Sequence, residues 1–272
     1  MRSTGNCCTT SCPVNDDLNA CADLVRRADP ARFRAAMAAP VAARQVLFPL
    51  YAFNVEVARA PWLTREPMIA EMRLQWWRDA LEEIAAGATG ATVRRHEVVT
   101  PLAGVLDAQD AALLDGLIAA RRWDIYRDPF EDEAHFASYL DRTAGHLMWV
   151  GARKLGQADE GVVRKAAHAQ GLANWLRAIP RLEAAGRVPL LDGRPEAVRD
   201  LARDGLARLS EARRNRARVS RAARPALLPL CEAGGVLHHA ARRPGDVSAG
   251  ALEPSALRTS TALILRTLTG RW

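Results

Sequence analysis

A chain of 272 residues, 49% of them hydrophobic, is long enough to bury one large core, yet it has no run of 18 or more apolar residues, which excludes a membrane-spanning helix. Its net charge of +7 comes almost wholly from arginine on an alanine-rich background, a composition that fits a GC-rich bacterial genome better than a dedicated nucleic-acid partner. No Walker A loop, Gly-x-Gly-x-x-Gly, Gly-x-Ser-x-Gly or His-Glu-x-x-His occurs, so the common signatures of nucleotide, hydrolase and zinc-peptidase chemistry are absent.

Residues 1–15 read as a polar, disordered tail carrying Cys7, Cys8 and Cys12, with Cys21 just beyond and Cys231 alone; an odd set of five, clustered without histidines, is no disulfide frame or zinc site. Residues 16–272 read as one all-α domain, because no window alternates apolar and polar residues in β-branched company and prolines punctuate helical segments. Asp16 is placed to cap the first helix. Met68, Met72, Trp76, Leu81 and Ile84 then predict one buried helical stripe, and Phe136, Leu140, Leu147 and Val150 another.

The acidic groups Asp79, Glu82 and Glu83 read as a solvated face paired with arginine, and Asp128 with Glu131, Asp132 and Glu133 as a helix start. Asp159 is placed to cap the helix that carries Asn174, and Asp192-Gly193 to turn the chain before an arginine-rich helix running through Arg208, Arg213, Arg214 and Arg218. That helix face reads as solvated.

Two segments carry most of the functional information. Asn174-Trp175-Leu176-Arg177-Ala178-Ile179-Pro180-Arg181-Leu182 ends in Gly186-Arg187, and Leu50-Tyr51-Ala52-Phe53-Asn54-Val55-Glu56-Val57-Ala58-Arg59 runs on to Trp62. The first resembles the second aspartate-rich motif of squalene and phytoene synthases, N-x-L-R-D-x-x-E-D-x-x-x-G-R, with Ala178, Arg181 and Leu182 at the three acidic positions. The second resembles the first motif, F-x-R-x-x-D-D-x-x-D, with Ala58, Arg59 and Trp62 there. Arg73-Leu74-Gln75-Trp76-Trp77-Arg78 and Tyr139-Leu140-Asp141-Arg142-Thr143-Ala144-Gly145 resemble further segments of that family, and together these matches span about residues 30 to 190.

The resemblance implies an isoprenoid-synthase-type helical bundle in which the two segments face one another across a central space. It also implies loss of the Mg²⁺ site, since alanine, leucine and tryptophan offer no oxygen ligand and arginine repels a cation. Ala52-Phe53-Asn54-Val55-Glu56 and Leu176-Arg177-Ala178-Ile179-Pro180 resemble the branch of the family that serves mitochondrial respiratory complex I assembly. The implied function is therefore a non-catalytic assembly or chaperone-type factor, with complex I subunits or intermediates as partners, no cofactor and no metal. A cytoplasmic site, with peripheral contact at the inner membrane, accords with that reading.

A prenyl transferase with an atypical site, and a carrier of an isoprenoid diphosphate or lipid, remain the alternatives. Glu56, Asn174, Arg177 and Arg187, by their places in the two motifs, and His146, which follows Ala144-Gly145 where the helix should face the cavity, are the candidate ligand-binding residues. Trp62 and Trp175 flank the missing carboxylates, which suggests that aromatic rings plug the former cavity.

Overall fold

A computed structural model describes residues 13–87, 92–126 and 128–272. Residues 1–12, where the tail and Cys7, Cys8 and Cys12 fall, lie outside the described residues. Among the described residues every named element is helical, and one isolated β-bridge joins Ala158 to Val219.

The helices follow in order: α1 (Pro13–Ala28), α2 (Pro30–Ala38), α3 (Val41–Arg59), α4 (Pro67–Gly87), α5 (Val99–Ala103), α6 (Ala108–Arg121) and α7 (Glu133–Leu140). After a π-helical turn at Asp141–Gly145 come α8 (His146–Leu155), α9 (Glu160–Ala184), α10 (Pro195–Arg214), α11 (Ala233–Arg242), α12 (Gly245–Ser248) and α13 (Ala256–Thr269). The longest of these, α9, packs against α10, α11, α8 and the π turn, so it is the axis of the bundle.

Short polar side chains set the helix starts. Asp29, Asp107, Asp132 and Asp159 each accept a hydrogen bond from the backbone N–H three residues on, at the heads of α2, α6, α7 and α9. The Asp159 cap and the acidic start at Asp132 agree with the sequence. Asp16 does not cap: α1 begins at Pro13 and Asp16 lies in its first turn.

The expected stripe on α4 is rotated. Met68 and Met72 are 76% and 66% exposed, while Ala70, Leu74, Trp77, Leu81 and Ile84 are buried. The physical reason is that Trp77, not Trp76, meets the core, edge-on to Phe53 at 5.5 Å, leaving Trp76 under the Arg94 guanidinium at 4.9 Å. Phe136, Leu140, Leu147 and Val150 are all buried, as their spacing predicts. The acidic decoys are spent in pairs: Glu83 binds Arg94 at 2.6 Å, and Asp79 accepts from Gln75 at 2.7 Å.

Close approach of α9 to the π turn depends on Gly171. A Cβ there would stand 2.8 Å from the Ala144 Cβ, so any side chain would push the two elements apart. On the far side, the arginine-rich run is partly a clamp: Arg213 donates to the Trp272 carbonyl at 3.2 Å and Arg224 to the Gly270 carbonyl at 3.0 Å, tying down the end of α13.

His168 on α9 gives the fold an acid sensitivity. Burial pushes its imidazole down to about 4, Arg208 adds to the effect and Asp204 opposes it. The His168 Nε2 lies 3.8 Å from Asp204, too far for a hydrogen bond, so the pair does not offset burial. The unfolded chain takes up this proton near pH 6.5, so the stabilisation is complete above that pH and is lost as pH falls from 6.5 towards 4. At about 1.36 kcal/mol per unit, the loss is at most about 3 kcal/mol. His146, also pushed down by burial, adds in the same direction. Urea midpoints should fall steeply between pH 7 and pH 4.5, and His168→Gln should flatten most of the slope; an unchanged slope would remove His168 as the cause.

Candidate functional site

A cavity of about 780 Å³ opens between α2, α3, the π turn, α9 and the segment around Pro229 to Val236. Asn54, Val55, Ala58 and Arg59 of α3 line one side, followed by Trp62; Gln170, Asn174, Arg177, Ala178, Arg181 and Leu182 of α9 line the other. The two motif segments therefore share one central space, and all six positions matched to family carboxylates, Ala58, Arg59, Trp62, Ala178, Arg181 and Leu182, lie on its wall.

These residues do not fit Mg²⁺. None of the six offers an oxygen ligand, and the carboxylates that do line the space are already engaged by arginine. Asp29 binds Arg32 at 2.5 Å, Asp124 binds Arg121 at 3.0 Å, and Glu232 is shared by Arg34 and Arg177, each at 3.2 Å. Glu253 meets Arg177 at 2.8 Å. Burial pushes the Asp29 carboxyl up, but the Arg32 charge and hydrogen bonds more than offset this and hold it below the usual range. Among the described residues no three His, Cys, Asp or Glu stand close enough to share an ion. Calorimetric titration with MgCl₂ should accordingly be flat near neutral pH; a stoichiometric heat abolished by Glu253→Gln or Asp29→Asn would reveal a rebuilt site.

Of the candidate residues taken from sequence, Asn174 and Arg177 line the cavity, Asn174 exposed to it and Arg177 half-buried. Arg177 pairs with Glu232 and Glu253 from distant segments, not with Glu56 or Glu183. The other three are placed elsewhere.

Glu56 is turned off the cavity wall and is held by Arg59 one turn on, at 2.6 Å. The His146 Nδ1 bonds the Leu113 carbonyl at 2.6 Å, so this ring ties α8 to α6. Arg187 is 8% exposed and donates to the backbone carbonyls of Trp123, Asp124 and Tyr126, with the rings of Trp62 and Trp123 at 5.0 and 5.2 Å on its faces. Three carbonyls and two rings hold this guanidinium in place, which makes Arg187 a structural clamp.

Aromatic plugging is also corrected. Trp175 is in the wall, 7% exposed, packed on Trp123, Phe130, Phe136 and Tyr139, with its indole N–H donating to the Pro189 carbonyl at 2.9 Å. Trp62 stands at the rim, 42% exposed, leaning on Arg187. The rings shape the space and leave it open.

Beneath Trp175 lies a charged triad that sequence reasoning missed. Tyr139 donates to Asp124 at 3.0 Å and accepts from Arg121 at 2.7 Å, and Arg121 also binds Asp124. Burial alone would lower the Arg121 pKa, but Tyr139 and Asp124 carry it above the ordinary arginine value; burial likewise drives the Tyr139 hydroxyl well up. The group is a fixed dipolar floor, not a proton donor at neutral pH.

Asn54 and Gln170 were missed as well. Both are buried on the cavity wall without a hydrogen-bond partner from the protein. Their amide atoms are not sealed off from solvent, so they stay accessible from the cavity to water or a ligand. The available signal was helical spacing: Asn54 lies four residues before Ala58, and Gln170 four before Asn174, on the same faces as the motif positions.

A family model described as "Squalene/phytoene synthase" matches residues 25–190. The chain is 28% identical over 173 residues to NADH dehydrogenase (ubiquinone) complex I, assembly factor 6, of Homo sapiens, covering 59% of this chain and 48% of that protein. It is 29% identical over 170 residues to the homolog from Drosophila melanogaster, covering 59% and 50%. The chain thus spans about half the length of these relatives.

Among solved structures, a dehydrosqualene synthase in complex with ligand superposes with a TM-score of 0.74 at 14% identity, covering 95% of this chain and 97% of that one. The squalene synthase HpnC from Alicyclobacillus acidocaldarius gives 0.68 at 19% identity, covering 86% and 96%. These likenesses establish the helical fold.

Proposed function

Since the chain belongs to the squalene/phytoene synthase family, we propose that it is a non-catalytic member working as an assembly or chaperone-type factor for respiratory complex I. One observation carries the reading: all six wall positions where the family resemblance expects metal-binding carboxylates hold Ala58, Arg59, Trp62, Ala178, Arg181 and Leu182. Head-to-head prenyl transfer needs the charge on a departing diphosphate neutralised, and without oxygen ligands at the six motif positions the divalent cations that the family resemblance expects for this have no place there.

The similarity to complex I assembly factor 6 supports the partner side of the proposal, over the half of those proteins that is shared. Complex I subunits or assembly intermediates are then the partners. No helix among the described residues is long and apolar enough to cross a membrane, so contact with a membrane-bound complex would be peripheral, from the cytoplasmic side of the inner membrane.

Deletion of the gene, with rotenone-sensitive NADH oxidation measured beside the isoprenoid profile, tests the proposal. The expected result is a loss of NADH oxidation with unchanged isoprenoids, and no turnover of farnesyl or geranylgeranyl diphosphate by the purified protein with Mg²⁺. Normal respiration with a missing isoprenoid would overturn it and restore the prenyl-transferase reading.

A further inference from the structure

Two features of the cavity wall point to the same kind of ligand. The first is the pair of amides, Asn54 at 7% and Gln170 at 6% exposure, one from each motif helix. Each offers an N–H₂ donor and a carbonyl acceptor, and no protein group uses either. The second is the state of the arginines. Arg32, Arg34, Arg59, Arg121 and Arg177 are each held by a carboxylate at 2.5 to 3.2 Å. Arg181 is the lining arginine without an ion pair, and it is exposed.

An anionic head would have to pull these arginines away from carboxylates already bound to them. A neutral head has no such competition. Its polar atoms would meet amides that face the space without a protein partner, and a hydroxyl or carbonyl complements a group that both donates and accepts. Beyond the amides the same helix faces continue with Val55, Ala58, Ala178 and Leu182, against Trp175 and Val236, which suit an apolar chain. About 780 Å³ is enough for a ligand of that type.

We infer that the cavity binds an apolar molecule with a neutral hydroxyl or carbonyl head, recognised by the amides of Asn54 and Gln170. Metal loss then re-specifies the cavity from a charged to an uncharged ligand. The inference stands apart from the respiratory proposal, because binding is read on the purified protein.

Farnesol and farnesyl diphosphate share one chain and differ only in the head, so they are the probes. The full-length protein is titrated with each, with and without Mg²⁺, following the fluorescence of the tryptophans that line the cavity. Farnesol should saturate and bind at least about tenfold more tightly than the diphosphate, since a site built for a hydrogen-bonding head rejects the wrong one strongly. Gln170→Met and Asn54→Leu should each weaken farnesol about tenfold, with melting temperatures unchanged, because each removes a cavity-facing amide that makes no hydrogen bond to the protein.

Tighter binding of the diphosphate, lost in Arg181→Ala, would overturn the inference in favour of an anion site. Unsaturable farnesol, or unchanged farnesol affinity in both variants, would assign the amides to water. Lowered melting of both variants would assign them to the fold, and would equally defeat the inference.

Discussion

Asp124→Ala should cost about 3 kcal/mol of stability, the lower end of the range for removing one partner of a buried ion pair, because the Arg121 side chain keeps 21% exposure. Asp124 is 3% exposed and holds both Arg121 and the Tyr139 hydroxyl. Removing its carboxylate strands a guanidinium whose charge burial disfavours, and Arg121 cannot shed its proton to escape. Asp124→Asn keeps an acceptor for Tyr139 but loses the charge, so it should cost less, and Tyr139→Phe, which leaves the ion pair intact, should cost about 1 kcal/mol. Guanidinium denaturation would give this ranking. A loss below about 1 kcal/mol for Asp124→Ala would mean that solvent reaches Arg121 and that the triad is not a buried unit.

The same triad shows where sequence reading stops. Arg121, Asp124 and Tyr139 come from the end of α6, the turn beyond it and α7, and of the three Tyr139 alone stands in a segment that resembles the family. Their meeting is a property of how α6 and α7 pack around the π turn, which no local spacing encodes. By contrast, the placement of Ala58 and Ala178 on one cavity was legible, because a gap-free motif frame fixes helical phase, and phase fixes which side chains share a face.

Phase also explains the partial success with the candidate site. Asn174 and Arg177 lie on the cavity face of α9. Glu56 lies two residues before Ala58, about 200° around the helix, and so is carried off the wall towards Arg59. Arg187 follows the end of α9 at Ala184, beyond the reach of helical phase, and the tertiary turn at Trp123 to Tyr126 captures it. On α4 the spacing alone predicts a stripe through Trp76, and the packing of Phe53 against Trp77 turns the helix to bury Trp77 instead.

The contrast between Trp62 and Trp175 gives the last expected result. Trp175→Ala should destabilise the protein by about 3–5 kcal/mol, as large-to-small aromatic changes in a core do. Its ring touches the aromatic cluster on one side only and faces the cavity on the other, which favours the lower end of that range. Trp175→Phe keeps much of the ring contact but leaves the Pro189 carbonyl without its donor, costing about 1–2 kcal/mol. Trp62→Ala removes a ring that is 42% exposed and mainly loses its contact with Arg187, worth about 0.5–1 kcal/mol. Thermal melts of the three variants therefore rank Trp175→Ala far below Trp175→Phe, with Trp62→Ala nearest the parent. Were the two indoles a plug packed on each other, Trp62→Ala and Trp175→Ala would lose similar amounts; equal losses would sink the wall-and-rim description and, with it, the open cavity on which ligand binding depends.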